Sequence, residues 1–267
     1  MKILHISHVP VFALMAFLLS TGSACASDLV ARSYDIKNVS EVLVGGGGRI
    51  EITQGDSETL RVEATAEVID RVSVDLSGNK LTLGVKHTSG KGWRFFNFFY
   101  NSDDKVRYIL QLKTLKYLGL GGATRGDLGN WKGQSMVVKA GGASDIKFAN
   151  LAVDDLFVDL SGASHGSAES IIANKLKFDL SGASNAKITE QSRAKLLEAS
   201  CSGASSFYGK LLVVQQADVG ASGASTIETN ATEFLKATAS GASNVRYLGQ
   251  PRLESNSSGA SSINAIK

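Results

Sequence analysis

The stretch LFVDLSGAS at residues 156–164 recurs twenty residues later as LKFDLSGAS at residues 176–184. Its Gly-Ala-Ser ending, with threonine once in place of serine, occurs eight times, and successive glycines are 18 to 21 residues apart. A fixed period of this length is typical of repeat proteins, in which each unit stacks on the next. The eight repeat glycines are Gly122, Gly142, Gly162, Gly182, Gly203, Gly223, Gly241 and Gly259.

The residues before each glycine alternate between apolar and polar. Leu176, Phe178 and Leu180, for example, are separated by Lys177 and Asp179. A period of two predicts a short strand with one buried face. An apolar residue often returns four positions after the glycine, which predicts a second strand beyond the turn. A unit of 18 to 21 residues with two or three short strands fits one coil of a β-helix, whose coils stack about 4.8 Å apart.

The tetrads (Ser-Gly-Ala-Ser and its variants) are predicted to form the same corner of every coil. Glycine adopts backbone angles that other residues resist, and the hydroxyl can bond its own turn or the neighbouring coil. Small residues at every level let successive coils turn at the same place. The alternative is that the ladder of hydroxyl groups binds a ligand.

Residues 1–26 have the pattern of a secretory signal peptide. Lys2 precedes an apolar run at residues 9–19, and Ala24-Cys25-Ala26 forms a small-x-small cleavage site. Lipidation of Cys25 is the alternative, although a glycine stands three positions earlier where an aliphatic residue is usual.

Residues 27–267 are predicted to form a single β-helix domain without a further membrane-spanning run. Within it, residues 27–110 are less regular than residues 111–267, which carry the tetrads. The cysteine that remains after cleavage, Cys201, occupies an inward position of the repeat and is expected to be buried and unpaired.

The irregular region contains two glycine turns. Val42-Leu43-Val44 leads into Gly45–Gly48, and residues 72–76 lead into Ser77-Gly78-Asn79. We interpret both as strand-turn-strand units of the same kind. The glycine run lacks the lysine of a phosphate-binding loop, and no helical pattern follows it.

An aromatic insertion at residues 91–101 is the one feature that corner formation does not explain. It could cover an open end of the β-helix, where strand edges would otherwise be unpaired. It could instead expose its rings to a protein partner, a glycan or a membrane surface. In the second case the contact residues would be Trp93, Arg94, Phe95, Phe96, Phe98, Phe99 and Tyr100.

The sequence gives little support for catalysis, and we predict no catalytic residue, metal or cofactor. His87 and His165 lie in different repeats without a nucleophile beside them. Asp159 and Asp179 hold equivalent outward positions in adjacent coils, so their spacing should be about 5 Å. They could bind calcium or act as acid and base, or they could belong to a solvated face. The formal net charge of +3 gives no reason to expect a nucleic acid partner.

Four segments before the tetrads, together with the serial tetrads, carry a resemblance to a known family. They are SEVLV at residues 40–44, RIEITQG at 49–55, LRVEA at 60–64 and LTL at 81–83. The chain resembles the putative auto-transporter adhesin head domain, also called the GIN domain, over roughly residues 34–250. The resemblance implies a right-handed, single-stranded β-helix and a periplasmic, outer-membrane-associated or extracellular setting in a bacterium. It brings no catalytic residues.

Three functions are compatible with these features. The first is a non-catalytic binding role at the cell envelope or surface, with a glycan, an envelope polymer or a protein as partner. The second is a polysaccharide-acting enzyme that uses Asp159 and Asp179. The third is a purely structural role. Oligomers could form through the ends of the solenoid or through the aromatic insertion.

Overall fold

In a computed structural model, residues 29–86 and 106–266 are described, and they form a β-solenoid of about seven turns. Strands dominate, with a single one-turn helix among the described residues. No helix in this part of the chain is long and apolar enough to cross a membrane. In chain order the elements are β1 (Leu29–Asp35), β2 (Glu41–Val44), β3 (Gly48–Gln54), β4 (Thr59–Thr65), α1 (Ala66–Ile69), β5 (Val72–Ser77), β6 (Lys80–Val85), β7 (Arg107–Leu112), β8 (Tyr117–Leu120), β9 (Thr124–Leu128), β10 (Trp131–Ala140), β11 (Asp145–Leu160), β12 (His165–Leu180), β13 (Asn185–Ile188), β14 (Ser192–Cys201), β15 (Ser206–Ala221), β16 (Thr226–Ala239), β17 (Asn244–Leu248), β18 (Arg252–Ser257) and β19 (Ser262–Ala265).

Each regular coil has three faces. β11 pairs in parallel with β12 at a shift of twenty residues, and the pairing is interrupted at Ala149 and Asp154. With the tetrad, these two interruptions make three corners per coil. We call the segment before the tetrad face A (155–160 in β11), the segment after it face B (145–148), and the segment between them face C (150–153).

The core is built by the strand alternation that the sequence predicts. Leu156, Val158 and Leu160 are all at most 2% exposed, and the intervening Asp159 points outward. Because the pairing is in register, each inward residue stacks on an inward residue of the next coil. Full burial of one such side chain contributes roughly 1.5–3 kcal/mol, so repetition of the column stabilises the whole stack.

The tetrad corner needs glycine for two reasons. The eight repeat glycines have φ between +73° and +79°, a region that L-residues rarely adopt. In addition, a Cβ on Gly162 would lie 2.5 Å from the carbonyl oxygen of Gly142 in the coil below. That oxygen accepts a hydrogen bond from the Ala163 N–H at 2.8 Å, so successive corners are joined by backbone bonds.

The hydroxyl ladder is used inside the corner. Ser164 is fully buried, and its Oγ donates to the carbonyl oxygen of Ser161 at 2.7 Å. Thr124 makes the equivalent bond to Gly121, also at 2.7 Å. These hydroxyl groups are therefore turned away from solvent, while Gly162 and Ala163 form the exposed edge of the corner.

The N-terminal coils are not stacked in chain order. β2 pairs in parallel with both β6 and β8, and β3 pairs in parallel with both β7 and β9. The β2–β3 coil thus lies between the β6–β7 coil and the β8–β9 coil. Its corner is the Gly45–Gly48 run, and a Cβ on Gly122 would lie 3.4 Å from the nitrogen of Gly46.

Ser77-Gly78-Asn79 does join two strands, but the expectation that this strand-turn-strand unit is of the same kind as the one at Gly45–Gly48 is wrong. β5 and β6 form an antiparallel hairpin in which Ser77 faces Lys80. The two-residue turn Gly78-Asn79, with Gly78 at φ +64°, reverses the chain instead of continuing the coil.

Antiparallel elements close the N-terminal end of the solenoid. β4 pairs antiparallel with β7 and with β1, and α1 buries Val68 and Ile69 against this end. Paired and covered strands prevent an exposed parallel edge there. At the other end, β18 pairs with β16 and β19 with β17, and the inward residue Leu253 is 38% exposed.

Candidate functional site

Three apolar side chains form a column on the outer side of face A. Tyr117, Val137 and Phe157 are register partners in β8, β10 and β11, and each is half-buried. We call these three residues the apolar column. Their positions point away from the core, because the neighbours Leu118, Val138 and Val158 fill it. In the following coils the same column carries Lys177, Glu198, Asp218, Lys236 and Glu254.

A shallow groove lies beside the apolar column. It has a volume of about 460 Å³. Gly119 creates its floor, since a Cβ there would lie 2.4 Å from Leu43 Cδ2 and 3.1 Å from Tyr117 Cε1. The groove therefore depends on a glycine at an outward strand position. We call it the face A groove, and the side chains that line it include Leu43, Thr82, Tyr117, Lys139, Asp159 and Ser161.

Charged groups surround the aromatic ring of Phe157. The Lys139 ammonium lies 5.6 Å from the ring centroid, and the Lys177 ammonium lies 5.3 Å from it. Contacts of this kind contribute roughly 0.5–1 kcal/mol each at exposed sites. The surface thus combines an apolar strip with cations and carboxylates, which is an arrangement suited to a ligand with both apolar and polar groups.

Asp159 and Asp179 are register partners in adjacent strands of face A. Each has a lysine of its own: Asp159 Oδ2 is 3.1 Å from Lys139 Nζ, and Asp179 Oδ2 is 3.4 Å from Lys177 Nζ. A calcium ion at this position would meet two ammonium groups as well as two carboxylates. Within residues 29–86 and 106–266, no group of three or more His, Cys, Asp or Glu side chains is placed to hold a metal ion.

The other residues singled out from the sequence lie away from this groove. His165 is exposed on face B, with Nδ1 3.4 Å from Asp145 Oδ1. Cys201 is 2% exposed in the inward column of face A, between Leu180 and Ala221. Burial raises the pKa of its thiol to about 12.

His87 and the aromatic insertion at residues 91–101 lie outside the described residues. The described strands before and after them, β6 and β7, lie below β2 and β3, beside the Gly45–Gly48 corner. Val106 lies at this corner, its carbonyl oxygen 2.8 Å from a Cβ placed on Gly48.

Sequence reasoning missed the apolar column. Phe157, Val137 and Tyr117 hold the same outward position in three consecutive coils, which the alternation within a single coil does not reveal. Alignment of the outward positions coil by coil would have found it.

The comparisons with known proteins bear on the family and on the fold. Residues 38–251 match the family model described as "Putative auto-transporter adhesin, head GIN domain". The chain belongs to this GIN-domain family. No significant match was found among curated proteins.

Solved structures of similar fold include three proteins from Parabacteroides species. A putative adhesin from Parabacteroides merdae has a TM-score of 0.78 at 17% identity, covering 90% of this GIN-domain chain and 96% of its own. A putative adhesin from Parabacteroides distasonis has a TM-score of 0.79 at 20% identity, with 90% and 98% covered. A protein from the same organism described as a putative lipid binding protein has a TM-score of 0.71 at 20% identity, with 90% and 97% covered. At these identities the likeness concerns the fold.

Proposed function

We propose that this protein is an exported, non-catalytic binding protein of the adhesin type, and that it binds a glycan polymer across the outer side of face A. The observation that carries this proposal is the apolar column. Three outward positions in consecutive coils hold Tyr117, Val137 and Phe157, whereas later coils hold charged residues there. Since these side chains contribute nothing to the inner core, a contact outside the solenoid is the best account of them.

A glycan suits this surface chemically. Sugar rings have an apolar face of C–H groups that packs on aromatic rings, and they have hydroxyl groups that need hydrogen-bonding partners. Phe157 and Tyr117 offer the rings, while Lys139 and Asp159 at the face A groove offer a donor and acceptors. The groove is open along the stack, which suits an extended chain better than a small enclosed ligand.

An enzymatic role for Asp159 and Asp179 is the alternative, and their geometry favours it less. A pair of carboxylates that cleaves a glycosidic bond acts directly on the bond and on water. Here Lys139 and Lys177 occupy one side of each carboxylate. If Asp179→Asn abolished release of sugar products from any polysaccharide in a panel, the binding-only proposal would be wrong.

The aromatic insertion is proposed to extend the same binding surface. The described strands on either side of it, β6 and β7, pair with β2 and β3, and Gly45 and Leu83 line the face A groove. Replacement of Trp93, Phe96 and Phe99 by serine should then weaken binding without loss of folding. Loss of folding instead would favour the covering role.

The central experiment compares two sets of variants. A panel of bacterial and host glycans, with phospholipid vesicles included, is screened first, and the best ligand is then titrated calorimetrically. The double variant Tyr117→Ser/Phe157→Ser should lose about fivefold or more in affinity, because each ring contact contributes about 0.5–1.5 kcal/mol. Tyr208→Ser is the matched control, since Tyr208 is 39% exposed on face B. Equal affinities of the wild type, the double variant and the control would refute the proposed site. Tighter binding to phospholipid vesicles than to any glycan would refute the proposed ligand.

A further inference from the structure

The solenoid has a step where face C begins. β3 ends at Gln54 and β7 ends at Leu112, and neither strand continues into a face C segment. The first face C segment is the start of β10, where Trp131 and Lys132 pair with β11 in the coil above. Below it, the side chain of Gln54 takes the place of a strand.

Gln54 joins the backbones of two lysines at this step. Its Oε1 accepts a hydrogen bond from the Lys132 N–H at 2.8 Å. Its Nε2 donates to the carbonyl oxygens of Lys132 at 2.9 Å and of Lys113 at 3.3 Å. The two lysines are thus held side by side by one amide, although they come from different coils.

A cleft of about 710 Å³ opens beside Gln54. We call it the step cleft; its lining residues are Gln54, Gly55, Asp56, Lys113, Asn130 and Lys132. Its volume is in the range of sites that take more than a single small ion. It shares no lining residue with the face A groove.

The step cleft has an excess of hydrogen-bond donors and positive charge. Within residues 29–86 and 106–266, neither Lys113 nor Lys132 has a carboxylate within ion-pair distance, in contrast to Lys139 and Lys177 on face A. Asn130 Oδ1 accepts from Asn150 Nδ2 at 2.9 Å, which fixes the amide and leaves its NH₂ group as a further donor. Asp56 is the one carboxylate among the lining residues.

We propose that the step cleft is a second binding site, and that it binds the anionic groups of an acidic polysaccharide through Lys113, Lys132 and Asn130. Two ammonium groups and an amide donor match a carboxylate or a sulfate ester, which accepts several charge-assisted hydrogen bonds. The size of the cleft accommodates the sugar that carries the group. This site goes beyond the proposed glycan contact on face A and stands without it.

The test uses charged and neutral forms of the same polymers. The full-length mature protein is titrated with oligogalacturonate and its methyl ester, and with dextran sulfate and dextran. Binding of oligogalacturonate but not of its ester identifies a carboxylate, and binding of dextran sulfate but not of dextran identifies a sulfate. Lys113→Gln/Lys132→Gln should weaken binding of the preferred anion by up to about thirtyfold, since each of the two exposed ion pairs contributes up to about 1 kcal/mol.

Two further variants make the result specific. Lys195→Gln/Lys210→Gln removes the same charge at exposed positions of β14 and β15, and it should change affinity less than about twofold. Asp56→Asn removes the carboxylate of the cleft and should tighten binding. The proposal would be overturned if the protein bound neither oligogalacturonate nor dextran sulfate. It would also be overturned if the two double variants lost the same affinity, or if Asp56→Asn did not raise the affinity.

Discussion

Gly182→Ala is predicted to destabilise the solenoid strongly, although it adds a single methyl group at an exposed corner. Gly182 has φ +74°, and a Cβ there would lie 2.6 Å from the carbonyl oxygen of Gly162. That oxygen also accepts the hydrogen bond from the Ala183 N–H at 2.8 Å. The substitution therefore strains one coil and disturbs its contact with the coil below.

The loss in the free energy of unfolding has two contributions, the backbone strain in one coil and the weakened hydrogen bond to the coil below. A left-handed backbone conformation costs an L-residue roughly 1–2 kcal/mol. Displacement of the Gly162 carbonyl weakens a backbone hydrogen bond with a net contribution of about 1 kcal/mol. The sum is about 2–3 kcal/mol, which corresponds to a fall in Tm of roughly 4–12 °C for a chain of this size.

Two other glycines separate these effects. Gly78 has φ +64° but nothing within 4 Å of an added Cβ, so Gly78→Ala should cost only about 1–2 kcal/mol. Gly220 has no positive φ and no neighbour within 4 Å, so Gly220→Ala should be neutral or slightly stabilising. Urea unfolding followed by circular dichroism measures all three variants against the wild type. If Gly182→Ala were no more destabilising than Gly78→Ala, the stacked-corner explanation would be refuted.

Two further predictions concern groups away from the proposed sites. The Cys201 thiol, with a pKa raised to about 12 by burial, should be about one part in ten thousand thiolate at pH 8. It should therefore resist a thiol reagent until the protein unfolds, and rapid labelling of the native protein would contradict its burial. The hydrogen bonds from Arg107 lower the pKa of Glu51. The charged carboxylate therefore stabilises the fold at pH values above its ordinary pKa of 4.5, and this stabilisation is lost as the pH falls through the lowered pKa. Glu51→Gln should thus lower the free energy of unfolding by about 1 kcal/mol or less at pH 7. The variant and the wild type should become equally stable in acid, and a difference in stability that does not change with pH would contradict the ion pair.

The regular coils could be predicted from the sequence because local and long-range signals agree there. The alternation around Phe178 sets which side chains face inward, and the period of the tetrads sets which coils are neighbours. The role of glycine in the corner also follows from the sequence, since few residues tolerate a positive φ. The close approach of Gly182 to the Gly162 carbonyl, in contrast, depends on the stacking itself.

The N-terminal coils could not be predicted in the same way. The order in which β2 lies between β6 and β8 depends on pairing between strands far apart in the chain, and no repeat marks it. The hairpin at Gly78-Asn79 did carry a local signal, a two-residue turn between alternating strands. The step cleft is a consequence of where β3 and β7 end, so it appears only once the coils are stacked.

The central claim is that a ligand contacts the apolar column on face A. The most direct test is fluorine NMR of protein labelled with 3-fluorotyrosine at its six tyrosines, each assigned by single replacement. On addition of the glycan found in the screen, the Tyr117 resonance should shift, while those of Tyr208 on face B and of the buried Tyr108 should not. An unchanged Tyr117 resonance at saturation would contradict the account.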